Sequence, residues 1–525
     1  MVEINDRRLP VGIQSFEVIR EGGYLYVDKT DIIWQLANRD KKYNYLSRPR
    51  RFGKSVLVDT LEAYFLGKKE LFEGLKIMQM ETEWVKRPVI RLDMSRAGAA
   101  PESVRSYLDN AFHQLESEYD IAVRQDSSLA DRFDAIIQTA YNTTGLQVAI
   151  LIDEYDSPLQ HSWKTPQHEA CTAVYREVFA ILKADDKYEK FVFITGITKF
   201  TQISLFSVLN NLSNISFEPN YAAICGITKE EVLRDFKPEI NKLAAKNDWN
   251  LSEAVAQLTA YYDGYHFCHE NMVDVFNPFS LINALADSKL KNYWASSGAT
   301  STLPKFVDNM EIRLKDFENC PVDCDTLETS DVTGGGAELF LYQSGYLTIK
   351  GYMDDIYLLG IPNYEVRKAL YRIVLPALTL KTNAQVISTQ NMLLYSLKLG
   401  NLPEAMKCLK ALIADVPYSN KKLASMDMEE RYRLIMSTIF NAIGCRVEVE
   451  KMIATGRIDM VVETTQYIYV LELKLSDNGG VDAAAEQIRA KQYAEPFKAD
   501  KRKVIALAIE LDDRGKGLVD WKEVF

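Results

Sequence analysis

A short apolar segment at residues 43–46 runs through Ser47-Arg48-Pro49-Arg50-Arg51-Phe52 into Gly53-Lys54-Ser55, and an amphipathic stretch follows at once. Strand, loop and helix in that order leave few folds open. Backbone N–H groups at a helix start point at anionic oxygens, and Gly53 lets the backbone come close to them. Lys54 is placed to reach the β- and γ-phosphates of a nucleotide, and the Ser55 hydroxyl to bind Mg²⁺. Arg51 and Phe52 lead into this grip and count with it as nucleotide-binding candidates. One departure stands out: the usual spacing asks for glycine five places before Gly53, and Arg48 stands there. Surface helix starts also produce Gly-Lys-Ser, so the reading needs a second support.

That support lies about 100 residues on. Val148-Ala149-Ile150-Leu151-Ile152 is a continuous apolar run that ends in Asp153-Glu154. Two acids at the end of a buried strand are unfavourable unless they bind a cation or polarise water. Asp153 fits the Mg²⁺-holding role and Glu154 the water-activating role. An acid that caps the next helix is the plainer alternative. A third strand candidate, 191–195, leads to Thr198, which can sense a terminal phosphate from the neighbouring strand end or simply turn the chain.

Around these motifs the chain reads as α/β in three parts. In 1–220, strand candidates at 43–46, 89–92, 148–152 and 191–195 alternate with helical-period segments. That pattern implies a parallel sheet covered on both faces. In 221–420 helices dominate. Thr228-Lys229-Glu230-Glu231 is a capping box, and 346–349 with 356–359 reads as a small hairpin. In 421–525 the order changes to helix (429–443, stopped by Gly444), strands (446–450, 458–463, 468–473), helix (483–493) and strand (504–509).

The last part carries a second constellation. Asp459 opens one strand and Glu472-Leu473-Lys474 closes the next, with twelve residues between Asp459 and Glu472. Residues two apart on a strand share a face, so Glu472 and Lys474 project together, and a hairpin can bring Asp459 beside them. Two carboxylates can hold Mg²⁺, and Lys474 can position water or steady phosphate charge. Glu429 on the preceding helix is a further metal-ligand candidate. Gln487 and Lys491, at i and i+4, are placed to contact a nucleic-acid backbone. Taken alone, Glu-x-Lys on a strand is an ordinary solvated face; the Asp459 spacing and the flanking helices favour a metal-dependent nuclease-like centre.

The net charge of -11 argues against nucleic acid wrapping the whole surface, but leaves room for a local basic groove. Residues 1–6 are polar and suggest no secretory signal. No run of about 18 apolar residues is present, so no membrane span is expected. Seven scattered cysteines fit a reduced, cytoplasmic setting. Cys320-x3-Cys324, like His266, Cys268 and His269, lacks a second pair at zinc spacing and reads as loop and buried thiols.

With these residues assembled, the chain resembles a bacterial family that joins an AAA-ATPase-like domain to a C-terminal PD-(D/E)xK nuclease-superfamily domain. The resemblance runs through Leu9–Phe16, Tyr26-Val27-Asp28-Lys29-Thr30, Arg48–Ser55, Leu151–Asp156, Tyr262-Asp263-Gly264-Tyr265-His266-Phe267, Asn277-Pro278-Phe279-Ser280 and Gln343–Thr348. It continues at Gly456–Asp459, Glu472–Lys474 and Gln487–Tyr493. The resemblance implies a P-loop ATPase domain (1–220), a helical lid with a hairpin (221–420) and a restriction-endonuclease-like domain (421–525). It also implies that arginine at the first loop-glycine position is a family trait, and that Asp459, Glu472 and Lys474 form the nuclease core. The functional expectation is an ATP-binding, ATP-regulated, Mg²⁺-dependent nuclease acting on DNA, with no membrane partner and with self-association left open. The alternative is an ATP-dependent switch or scaffold whose nuclease-like domain only binds nucleic acid or a protein.

Overall fold

The structure is a computed structural model and describes residues 8–121, 127–163, 165–199, 212–296, 317, 319–329, 336–378, 383–414, 416, 423 and 426–525. The chain groups into two compact units, one taking in 1–293 and 319–362, the other 294–318 and 363–525. The expected divisions after 220 and 420 each fall inside a unit.

In the first unit, strands β1 (Tyr43–Ser47), β2 (Val89–Asp93), β3 (Val148–Asp153), β4 (Glu189–Gly196) and β5 (Ser213–Asn214) form a parallel sheet in the order β2-β3-β4-β1-β5. Every residue of β3 is buried, as a strand covered on both faces requires. The register pairs Ser47 with Gly196 and Asp93 with Asp153. The carboxyl ends of four strands therefore meet along one edge, where open parallel sheets form their ligand crevices.

The helices Lys229–Asp235, Lys237–Lys246, Leu251–Tyr262 and Pro278–Asp287 follow. They share a core built on Val232, Phe236, Leu243, Leu258 and Leu281, against which the N-terminal Leu9, Leu25 and Val27 pack. Thr228 and Glu231 form the expected capping box. A two-stranded pair, β6 (Ile227–Thr228) and β7 (Val275–Phe276), brackets this bundle. The expected hairpin is present as β9 (Thr348–Met353) and β10 (Ile356–Gly360), turned by Asp354 and Asp355 at φ 49° and 61°, the left-handed backbone of a tight hairpin turn. It gains a third strand, β8 (Cys320–Asp323), on the free edge of β10. Four residues with a proline carry too weak a strand signal to read from sequence.

The second unit contains the helices Tyr364–Leu378, Asn383–Leu399, Leu402–Ala414 and Met428–Ile443 and a five-stranded sheet, β11 (Arg446–Ile453), β12 (Gly456–Glu463), β13 (Tyr467–Leu475), β14 (Lys503–Leu511) and β15 (Leu518–Glu523). The strands stand in chain order, and only β13 and β14 are parallel. The helix Gly480–Ala490 makes that crossover and packs Ala484, Ala485 and Ile488 on Ile468, Val470 and Ala506. Asp427 caps the helix Met428–Ile443 at its start and Gly444, at φ 89°, ends it, a conformation that favours glycine. β15 lies beyond the last strand expected from sequence.

Among the described residues no helix is long and apolar enough to cross a membrane. All seven cysteines are free thiols.

Candidate functional site

The helix Lys54–Phe65 starts directly from the loop after β1, with Gly53 as its N-cap at φ 89° and Arg51 just before it at φ 71°. Lys54 is almost fully buried. Its ammonium spans the loop, donating to the carbonyls of Arg48 (3.0 Å) and Pro49 (3.3 Å), and lies 3.5 Å from Glu154 Oε1. The cation is thus held by two neutral carbonyls, which an incoming phosphate can outcompete, with one carboxylate beside it.

Arg48 explains how the loop closes without the first glycine. Its side chain is 1% exposed. The guanidinium donates to the carbonyls of Ser47 and Ser216 through Nη1 and of Tyr221 through Nη2, and it stacks over the Phe267 ring at 4.1 Å. Arg48 is a fastener inside the protein rather than a ligand for phosphate. Phe52 adds a second fastening, edge-on to Tyr265 at 4.7 Å and to Phe267 at 5.4 Å. Tyr265 and Phe267 of the Tyr262–Phe267 motif therefore back the phosphate loop.

Across the strand ends, the Ser55 side chain stands beside Asp153. Asp153 is buried, and its Oδ1 has no hydrogen-bond partner among the described residues. Burial, with Glu154 adjacent, pushes its carboxyl up to about 6. A buried acid oxygen left unsatisfied next to a serine hydroxyl fits a cation, whose charge reverses that shift. Glu154, at φ 50°, is turned into the same polar cavity of about 890 Å³ that Ser55, Asp93, Arg96 and Asp153 line.

Thr198 does not face that cavity. It is buried, and its hydroxyl and N–H both donate to Asp156 Oδ2 at 2.6 Å, so the end of β4 folds over Asp156. The expected phosphate-sensing side chain is committed to holding this strand end in place.

On the other side of the loop is an apolar cavity of about 180 Å³, lined by Pro10, Ile13, Val27, Phe52, Ile224 and Ile282 among others. Arg51 stands at it with its guanidinium 4.9 Å from the Phe279 ring. An apolar slot next to a phosphate loop suits a nucleobase. Its residues come from segments more than 250 positions apart, which hides it from motif reading. The Leu9–Phe16, Tyr26–Thr30 and Asn277–Ser280 motifs each contribute residues to it.

In the second unit, Asp459 and Glu472 are 5% and 1% exposed. Asp459 Oδ2 accepts from the backbone N–H of Leu473 (2.8 Å), tying the end of β13 to β12. Lys474 Nζ is 3.3 Å from Glu472 Oε1, while Glu472 Oε2 is buried with no hydrogen-bond partner among the described residues. Burial first, and Asp459 second, push the Glu472 carboxyl upward. The orphaned oxygen fits a cation. Among the described residues no three acid, histidine or cysteine side chains form a closed metal cage; two carboxylates with water and substrate oxygens are what Mg²⁺ accepts.

Gln487 donates to the Tyr493 hydroxyl (3.0 Å), which donates to the Arg457 carbonyl (2.7 Å). Lys491, exposed and just past the helix Gly480–Ala490, accepts from Thr455 through its carbonyl. Both residues therefore border the β11–β12 turn beside the site. Glu429 is half-buried in the first turn of its helix. The residue of that helix that reaches the pair is Arg433, one turn later, with Nη1 3.9 Å from Asp459 Oδ1 and 2.5 Å from Glu450 Oε1. Sequence reading missed Arg433 and Glu450.

The family described as "Predicted AAA-ATPase" matches residues 10–206, and the PD-(D/E)XK nuclease superfamily matches 427–521. A protein of Azotobacter chroococcum mcd 1, described as "Uncharacterized protein in vnfD 5'region", is 31% identical over 537 aligned positions that cover 98% of each chain. The chain belongs to this AAA-ATPase-like, PD-(D/E)XK family. The two matched segments coincide with the two sites: the first holds the phosphate loop and Asp153-Glu154, the second holds Asp459, Glu472 and Lys474.

Proposed function

We propose that this protein binds ATP with Mg²⁺ at the Gly53–Ser55 loop and cleaves DNA at the Asp459–Glu472–Lys474 centre, with nucleotide binding regulating cleavage. Buried Glu472, with one oxygen on Lys474 and the other unsatisfied beside Asp459, is the observation that carries the nuclease reading.

At the first site, Lys54 leaves the loop carbonyls for the β- and γ-phosphates, Ser55 and Asp153 face the metal position, and Glu154 orients water at the terminal phosphate. The apolar slot holds the base. At the second site, Asp459 and Glu472 hold the cation, and Lys474, anchored by Glu472, orients the attacking water and steadies charge on the phosphate. When bound, Mg²⁺ supplies Lewis-acid polarisation of the phosphate oxygens and a more acidic water. Regulation of one site by the other is supported by their union in one chain.

The test incubates the full chain with plasmid, linear duplex and single-stranded DNA, in Mg²⁺ or Mn²⁺, with and without ATP, beside Asp459→Ala. Cleavage by the wild type alone is expected. Equal inertness of both proteins on every substrate overturns the nuclease reading. Calorimetric titration of Lys54→Ala with ATP tests the first site, and unchanged affinity overturns it.

A further inference from the structure

The β11–β12 ladder runs unbroken from Arg446–Glu463 to Val449–Met460, skips one pair, and resumes at Lys451–Ile458. The skipped pair is Glu450 opposite Asp459, and Glu450 sits at φ 54°, a backbone region that glutamate rarely occupies. The departure turns the Glu450 side chain to two arginines. Its Oε1 accepts from Arg433 Nη1 at 2.5 Å and lies 3.0 Å from Arg457 Nη1. Arg433 is 13% exposed and lies between Glu450 and Asp459, whereas Glu450 and Arg457 are about half exposed, at 45% and 51%.

Two guanidinium groups converging on one carboxylate oxygen form a cradle of the size and charge that a phosphodiester fills. A phosphate offers several acceptor oxygens where Glu450 uses one, and paired arginine N–H groups match them. If neutralising Asp459 were Arg433's only task, Glu450 would have no reason to stand there, since like charges directly opposite one another across a ladder are unfavourable.

We propose that Arg433 and Arg457 form a phosphate clamp for the nucleic-acid strand beside the Asp459–Glu472 centre, and that Glu450 occupies the clamp until a backbone phosphate displaces it. The clamp gives the helix Met428–Ile443 a direct part in holding substrate. It rests on reading the second unit as a nuclease. Glu450 acts as a competitor for the substrate phosphate, so its removal strengthens binding.

The experiment measures binding of the full chain to a short fluorescein-labelled DNA duplex by anisotropy, in EDTA, across a KCl series. Arg433→Ala is expected to weaken binding about tenfold and to lower the slope of log affinity against log salt by about 1, as loss of one phosphate contact does. Arg433→Lys restores part of the slope. Glu450→Gln is expected to tighten binding about threefold, because one competing charge is gone. A purely structural role for the cluster predicts that Glu450→Gln weakens binding in step with Arg433→Ala; that result, an unchanged slope in Arg433→Ala, or no duplex binding by the wild type overturns the clamp. Should Arg433→Ala not fold by circular dichroism, Glu450→Gln at its half-exposed position decides the matter. Cleavage in Mg²⁺ is read separately. A wild type that binds with the expected salt slope and cuts nothing removes the nuclease reading and leaves the clamp. One that cuts, with binding unchanged in both variants, removes the clamp alone.

Discussion

Lys54 and Arg433 are both nearly buried cations, 3% and 13% exposed in their side chains, yet different things hold them. Lys54 is held by the carbonyls of Arg48 and Pro49, six and five residues away in its own loop, and lies 3.5 Å from Glu154 just past the end of β3. Arg433 is held by Glu450 and approaches Asp459, residues on two strands that follow its helix. The first site joins a local turn to two acids at the end of β3, whereas the second is assembled entirely from separate elements. Each also has a buried carboxylate with an unsatisfied oxygen, Asp153 Oδ1 and Glu472 Oε2. A local site tolerates little change in its own loop, whereas an assembled one depends on every element that contributes.

The sharpest way to break this comparison is Glu472→Gln. Loss of the cation-holding charge is expected to lower DNA cleavage about a thousandfold, given the several kcal/mol that metal polarisation supplies. ATP affinity is expected to stay unchanged in the same protein. Thermal unfolding of the variant is expected at or above the wild-type temperature, because a buried carboxylate without a full set of partners becomes a neutral amide. A protein that still cleaves, or one that loses the second unit's fold, removes Glu472 from the cation-holding role.

Lys54→Ala comes next. Removal of the charge-assisted bonds to phosphate is expected to weaken ATP binding about a hundredfold in calorimetric titration, with DNA binding in EDTA unaltered. A fall in both shows that the two sites are not separable.

Arg48 tests what makes the local site local. Its guanidinium donates to three carbonyls and stacks on Phe267. Arg48→Ala leaves those carbonyls short of donors and is expected to destabilise the first unit by about 2 kcal/mol in urea unfolding. Arg48→Lys is expected to recover little, since an ammonium neither forks between carbonyls nor stacks. Full recovery by lysine reduces Arg48 to a simple buried charge.

These residues also show how far sequence carries. Tyr43–Ser47 to Gly53-Lys54-Ser55, and Val148–Ile152 to Asp153-Glu154, were legible because a strand, its loop and its acids are contiguous. Asp459, Glu472 and Lys474 were legible because strand periodicity and a short connection bring them together, and Lys474 does reach Glu472. Arg433 and Glu450 were not, since nothing in the helix pattern marks Arg433, and Glu450 matters only through a skipped ladder pair. Of the two readings open for Thr198, the structure favours the turn of the chain over the phosphate contact. Its position after β4 suggested a phosphate contact, but Asp156, just after β3, takes its hydroxyl, a tertiary bond that no local pattern announces. The apolar slot needs residues from Pro10 to Asn283 and becomes visible only when the sheet and helices are folded together.

The smallest expected effect concerns a buried acid that serves neither site. Glu189 opens β4, at the opposite end of the sheet from Asp153, and is fully buried. Its Oε2 accepts from the Tyr43 hydroxyl of β1 at 2.7 Å. Asp185 and Asp186 face it with like charge and Lys42 with opposite charge. Burial dominates and pushes its carboxyl up to about 8. Asp185, beside Asp134, is likewise pushed to about 7, chiefly by burial. An acid whose carboxyl titrates higher in the folded chain than in the unfolded one binds its proton more tightly when folded. Its stabilising contribution is complete below the unfolded value of about 4.5 and is lost as pH rises toward 8. Urea unfolding of the first unit is therefore expected to show stability falling between pH 5 and 8. Glu189→Gln, neutral throughout and still able to accept from Tyr43, is expected to remove its share of that slope, the remainder belonging to Asp185, Asp153, Asp156 and Asp263, whose carboxyls burial also pushes up. A slope unchanged by the substitution means that Glu189 stays ionised against its burial. The contrast with Asp153 and Glu472 would then have to rest on their orphaned oxygens alone.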